Sequence, residues 1–324
     1  MVIPGLPDFS LPYQIKPLLF YENDFKVVTN SQIYFIFAYS LPLLALYMMM
    51  FFAMLGGDPV PGSRSSFYPF LAFISLMDIC HWFLTVIVYR LTIFFPLNEF
   101  YNSWDGGRDT SFIYGGMFFF IAAREGGLVA MALNRLTSTW AFRSIFLSLL
   151  LSLIFGYCCT YFCYDTLVQF MKISMGNDTA IFALALDDTE REWLHETWWT
   201  IGWAGAALGA MTVCYIIIAF QLLCGGAHPE AEQREKRLAM TGFLCTLPSL
   251  LFLGLQFGAL LVDRDDPLTA LRVFREAGPI VPMVMDFRIF FIPICIMIRD
   301  CDARRATLRV LGMRGKGTVD STMA

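Results

Sequence analysis

Five ionisable side chains stand deep within otherwise apolar stretches of the chain: Asp78, Arg124, Glu125, Asp286 and Arg288. A charge at the centre of a bilayer costs about 2.5 kcal/mol or more, so intramembrane acids and bases are functional candidates that should pair with one another. At about 1.5 Å of rise per residue, Asp78 lies about 16 Å from the inner end of its stretch and Arg124 and Glu125 about 20 Å below the outer end of theirs. Asp286 and Arg288 lie about 12 to 15 Å into theirs, so the five share a depth. Positions one or two apart on a helix do not face each other, so the partners of Arg124, Glu125, Asp286 and Arg288 are expected on neighbouring helices. The outcome is a polar layer of three acids and two bases, with His81, one turn from Asp78, as a sixth member. Such a layer can act as an ion-pair network that fixes helix register, as a switch whose pairs rearrange between two states, or as a substrate or proton path. Arg90, near the outer end of its stretch, is expected to snorkel to the interface and is set aside.

The elements that carry these residues follow from length. A helix needs about 20 mostly apolar residues to cross a bilayer, and residues 32–55, 67–95, 111–133, 142–164, 198–223, 238–262 and 278–298 meet that test. In lipid every backbone polar group must be satisfied within the segment, so helices are expected and β-barrel alternation is absent. The fold class is thus an all-α membrane protein, a seven-transmembrane helix bundle. Its domains are an extracellular N-terminus (1–31), the bundle (32–298) and a cytoplasmic tail (299–324), read either as a short basic amphipathic helix on the inner leaflet or as a solvated tail. No basic n-region precedes an apolar h-region, so the first span is read as an uncleaved anchor. With the N-terminus outside, Lys and Arg number twelve on the cytoplasmic side, six of them in the tail, against eight outside, as the positive-inside rule requires. Asn177-Asp178-Thr179, a glycosylation sequon, falls in the outer loop after the fourth span, and Cys301 beyond the seventh is positioned for palmitoylation. Pro248 and Pro293 each remove a helical hydrogen bond and are expected to kink their spans. Gly205-x-x-x-Gly209 allows close helix approach and is read as packing within the bundle.

Several functions are excluded. The chain has 324 residues, 57% of them hydrophobic and 15% charged, and a mean hydropathy of +0.59, where soluble domains carry about a quarter charged residues. A net charge of -4 argues against nucleic acid as a partner. The nine cysteines avoid the outer loops, so no disulfide scaffold staples that face. His81, His195 and His228 belong to the middle and the two opposite sides of the membrane and cannot share a zinc, so no metal, cofactor or enzymatic centre is expected. The five lysines lie outside the spans, which excludes a retinal Schiff base. The Phe118–Phe120 run and the Trp198-Trp199 pair are candidates for an aromatic cavity wall or for interface anchors, and the acid surplus of the layer would suit a cationic or hydrogen-bonding ligand.

At the inner end of the third span the chain reads Leu133-Asn134-Arg135-Leu136-Thr137-Ser138. This resembles the Asn-Arg-aromatic-Thr-Ser signature of nematode serpentine chemoreceptors of the gamma superfamily, including its gamma and V classes, where it stands in place of the Asp-Arg-Tyr motif of rhodopsin-like receptors. Chain length, span count, the span-two acid Asp78, the long loop after the fourth span and the short basic tail also resemble that family. Cys245-Thr246-Leu247-Pro248 is similar to the Cys-Trp-x-Pro of rhodopsin-like receptors. Leu136 departs from the family's aromatic, and Ile292-Pro293 stands where rhodopsin-like receptors have Asn-Pro. The resemblance implies a plasma-membrane receptor with rhodopsin-like architecture, including at the sensory cilium. It would couple an external small molecule to a heterotrimeric G protein, with Asn134 and Arg135 at the coupling face. The rival readings are a seven-span ligand-gated channel subunit and a small secondary transporter, the latter normally built from repeats that are not apparent here.

Overall fold

A computed structural model describes residues 22–55, 67–91, 100, 108–136, 145–165, 168–174, 180–186, 190–224, 229–260, 280–299, 304–305 and 307–308. Helix α1 spans Glu22–Leu55, α2 Phe67–Thr85, α3 Arg108–Leu136 and α4 Ile145–Asp165. A hairpin follows, β1 (Val168–Ser174) antiparallel to β2 (Ala180–Leu186), with Val168 opposite Leu186 and Ser174 opposite Ala180. Then come α5 (Glu190–Cys224), α6 (Pro229–Leu244), α7 (Leu247–Leu260) and α8 (Ile280–Arg299). Among the described residues five stretches are long and apolar enough to cross a membrane: Tyr34–Leu55, Tyr68–Val88, Thr110–Leu136, Thr197–Leu222 and Ala239–Gly258, the last running across the break between α6 and α7. Ile145–Tyr161 is apolar but shorter. The chain is a helical, multi-pass membrane protein.

Large apolar side chains cover the outer faces of these helices, among them Phe35, Phe146, Phe220 and Ile298, each at least 60% exposed. Water would penalise that surface, whereas lipid tails are as apolar as the side chains themselves. The polar groups turn inward instead. Helix α3 packs against α2, α4 and α5, while α8 packs against α1, α2, α6 and α7. The main apolar core gathers Tyr47 and Met50 of α1, Phe70, Leu71 and Ile74 of α2, and Leu128 and Met131 of α3 with Ile289, Phe290 and Ile292 of α8.

Glycine sets the closest approach. A Cβ on Gly156 of α4 would lie 2.9 Å from Ala123 Cβ and 3.0 Å from the Ala123 backbone nitrogen of α3. Gly156→Ala is accordingly expected to cost about 1–3 kcal/mol by overpacking, read as thermal unfolding in lipid nanodiscs. Gly209→Ala, whose Cβ would meet nothing within 4 Å among the described residues, serves as the control and should not lower the unfolding temperature. Equal losses in the two would contradict the close packing. The same open space corrects the reading of Gly205 and Gly209 as bundle packing, since a Cβ at either position would have no neighbour within 4 Å among the described residues.

Further differences from expectation have local causes. Helix α1 begins ten residues before the apolar stretch, because helical backbone continues through the polar run from Glu22. The long segment after α4 contains a hairpin, whose connecting residues include Gly176, Asn177 and Asp178, the composition of a hairpin turn. Asn177 itself and Cys301 lie outside the described residues. Of the tail, Arg304 and Arg305 are exposed and Thr307 is buried, each in a short helical piece.

A buried ion-pair network as the candidate functional site

Glu125, on α3, is the hub. Its Oε1 accepts from Arg124 Nη1 and from Arg288 Nη2 of α8, each at 2.7 Å. Its Oε2 accepts from Ser249 Oγ of α7 at 2.7 Å. Arg124 turns its Nε to Asp78 of α2 in a 2.8 Å ion pair, and the second Asp78 oxygen accepts from the Tyr47 hydroxyl of α1 at 2.8 Å. Arg288 lays its guanidinium over the Phe252 ring of α7, 4.9 Å from the centroid, a cation–π contact. All five of these charged and phenolic groups are at most 1% exposed, so each depends on its partner rather than on water.

A second group stands apart from the first. Asp286, also on α8, pairs with Arg90 and accepts from the Tyr39 hydroxyl of α1 at 2.6 Å. Arg90 lies over the Trp82 ring, 5.5 Å from its centroid. His81 sits on α2 within electrostatic reach of Arg90, Arg124 and Arg288, and Thr85 Oγ1 lies 3.3 Å from its Nε2.

Three expectations need correction. Arg90 does not snorkel: it is 1% exposed and ion-paired. The cause is a π-helical turn over Val86–Arg90. In an α-helix a residue five positions after Thr85 would lie about 140° round from it. The i→i+5 spacing of a π turn brings Arg90 back over the buried Thr85 face instead. Arg124 and Glu125 do meet despite being adjacent, because long side chains from neighbouring positions can fold across one turn when both are buried. The polar layer is therefore two groups rather than one, with Asp286 and Arg288 of the same helix directed to different partners. Including Arg90, three acids face three guanidiniums, and the acid surplus disappears.

The two prolines stand in different backbone settings, Pro248 just after a helix break and Pro293 inside a continuous helix. Pro248 is buried and follows a two-residue turn, Cys245–Thr246, that separates α6 from α7. Pro has no N–H and disfavours helix in the preceding residue. The chain compensates locally, with Thr246 N–H donating to Phe243 O, Thr246 Oγ1 donating to the same oxygen, and Ser249 N–H donating to Thr246 O. This break aims Ser249 at Glu125. Pro293 is buried within a continuous α8. Asn134 and Arg135 are buried in the last turn of α3, 8% and 9% exposed, with Arg135 in electrostatic reach of Tyr215 on α5. Trp198 and Trp199 are exposed on α5, the latter donating its N–H to Cys159 O of α4 at 2.7 Å, so they face outward rather than lining an interior wall.

Tyr39, Tyr47 and Ser249 were not legible as site residues. The available signal was chemical: a buried phenol requires a hydrogen-bond partner, and two tyrosines eight apart on α1 share one face. Neither the protein-family models nor the curated proteins compared with the chain give a match.

Proposed function

We propose that the chain is a seven-transmembrane receptor that couples binding of an external small molecule to activation of a heterotrimeric G protein. The observation that carries this reading is the position of Glu125. One carboxylate ties α3 to α8 and to α7, and its α7 partner, Ser249, adjoins the helix break at Pro248. A movement at that break cannot leave the pairing unchanged. A ligand that favours one arrangement over the other shifts the equilibrium by its differential affinity for the two.

The described helices, with the shorter α4 and the charged α8 counted as spans, make up the seven crossings of this reading. The N-terminus is then outside and the tail cytoplasmic, in the plasma membrane. Arg135, at the cytoplasmic end of α3, is the residue that contacts the G protein or gates that contact, as the resemblance to gamma-superfamily chemoreceptors implies. A guanidinium has the rigid donor fork to hold an acceptor in one state and release it in another.

The test is second-messenger output in cells expressing the intact chain, challenged with a small-molecule library. Arg135→Ala at unchanged surface level should abolish the response. A response that survives both the variant and removal of G proteins, or that appears only as membrane current, would contradict the receptor reading and favour the channel.

A further inference from the structure

The interior of the helices is unbalanced in hydrogen-bond donors, not in charge. Arg90 Nε and Nη1, Arg124 Nη2, Arg288 Nε and Nη1 and Trp82 Nε1 have no hydrogen-bond partner among the described residues. Every one of these side chains is at most 2% exposed. Guanidinium and indole nitrogens can only donate, and the three carboxylates present are already engaged. A buried donor without an acceptor costs about 1–3 kcal/mol, and more when charged, so this is an environment that selects for oxygen acceptors.

Two of these donor-bearing side chains, Arg90 and Trp82, stand together at the end of α2. Arg90 lies over the Trp82 ring at 5.5 Å, and His81 adjoins Trp82 within electrostatic reach of all three arginines. Tyr39 and Asp286 close the α1 and α8 sides of Arg90.

We propose that this region of α2, between α1 and α8, binds the acceptor oxygens of a carboxyl or ester group, and that it discriminates against amines. An ammonium brings three donors and no acceptor, and would add a positive charge beside the Arg90 guanidinium. A carboxylate or ester brings only acceptors, which the unpartnered donors of Arg90 and Trp82 lack. The inference rests on the receptor reading for its biological setting, while its chemistry is independent of it. The group can belong to a small molecule or to the ester linkage of a lipid.

The experiment is thermal unfolding of the intact chain in phosphatidylcholine nanodiscs with four probes of one chain length: hexanoate, methyl hexanoate, hexanol and hexylammonium. Hexanoate and methyl hexanoate should raise the unfolding temperature by about 1–2 °C at concentrations several times their Kd, hexylammonium should not, and the rise should vanish in Arg90→Met/Asp286→Leu. That variant removes both partners of a pair, so a folded baseline is retained and is checked without probe. A drop on replacing ester-linked by ether-linked lipid, with no effect of soluble probes, would assign the acceptor to lipid and still support the site's chemistry. Equal shifts for all four probes, a preference for hexylammonium, or shifts unaltered in the variant would overturn the proposal. A signalling ligand whose only polar group is an amine would overturn it while leaving the receptor reading standing. Acid or ester binding without any G-protein response would do the reverse.

Discussion

Glu125→Ala is expected to be the most damaging single substitution in the chain, lowering stability by about 3–5 kcal/mol, the usual cost of breaking a buried pair by removing one partner. Two guanidiniums, those of Arg124 and Arg288, lean on the same Glu125 oxygen, and Ser249 leans on the other. Removing the carboxylate leaves two positive charges on one remaining acid, Asp78, at a site that is at most 1% exposed. The loss should be visible as reduced folded protein at the cell surface and as a lowered unfolding temperature in nanodiscs. Adding Arg288→Met to Glu125→Ala should recover part of the loss, because one stranded charge then goes with the carboxylate. The interaction energy of that cycle isolates the pair. An additive cycle, or a loss no larger than that of a surface substitution, would contradict the network.

The second large effect belongs to Asp286, and its size relative to the first is informative. Asp286→Ala strands a single guanidinium, Arg90, near the end of α2. That helix end has an escape: relaxing the π turn to α geometry would rotate Arg90 away from α8, where its long stem can carry the charge to the interface. The expected loss is therefore smaller than that of Glu125→Ala. The paired apolar replacement Arg90→Met/Asp286→Leu should be neutral or stabilising by about 1–4 kcal/mol, as buried ion pairs often are when replaced whole. Signalling separates the two meanings of the pair. If Arg90 and Asp286 serve the ligand or the switch, the stable double variant loses its response. If they serve only helix register, it keeps it. Unfolding temperatures and second-messenger output measured on the same preparations decide the matter.

The sites of charge were legible before the structure because insertion energetics make any ionisable residue in an apolar run conspicuous, as with Asp78, Arg124, Glu125, Asp286 and Arg288. The helices were legible for the same reason, apart from boundaries set by polar residues that remain helical, as at Glu22 in α1. What spacing could not give was the pairing. Arg90 occupies a different face from the one 3.6 residues per turn would give it, because five residues of π geometry follow α2. Arg124 and Glu125 were held apart by a rule for backbone positions, although their side chains are long enough to meet. Tyr39 and Tyr47 were hidden because tyrosine reads as an apolar residue in a hydropathy count, while its hydroxyl behaves as a polar one. The hairpin between α4 and α5 lies outside the apolar spans, where hydropathy carries no signal for strand pairing.

The most direct measurement of the receptor claim is nucleotide exchange on a purified heterotrimeric G protein by the intact chain in nanodiscs, with the ligand library added. The account predicts ligand-dependent acceleration of exchange that is lost in Arg135→Ala at equal protein content. No acceleration from any ligand that binds, together with a ligand-gated conductance when the same preparation is placed in a planar bilayer, would contradict it.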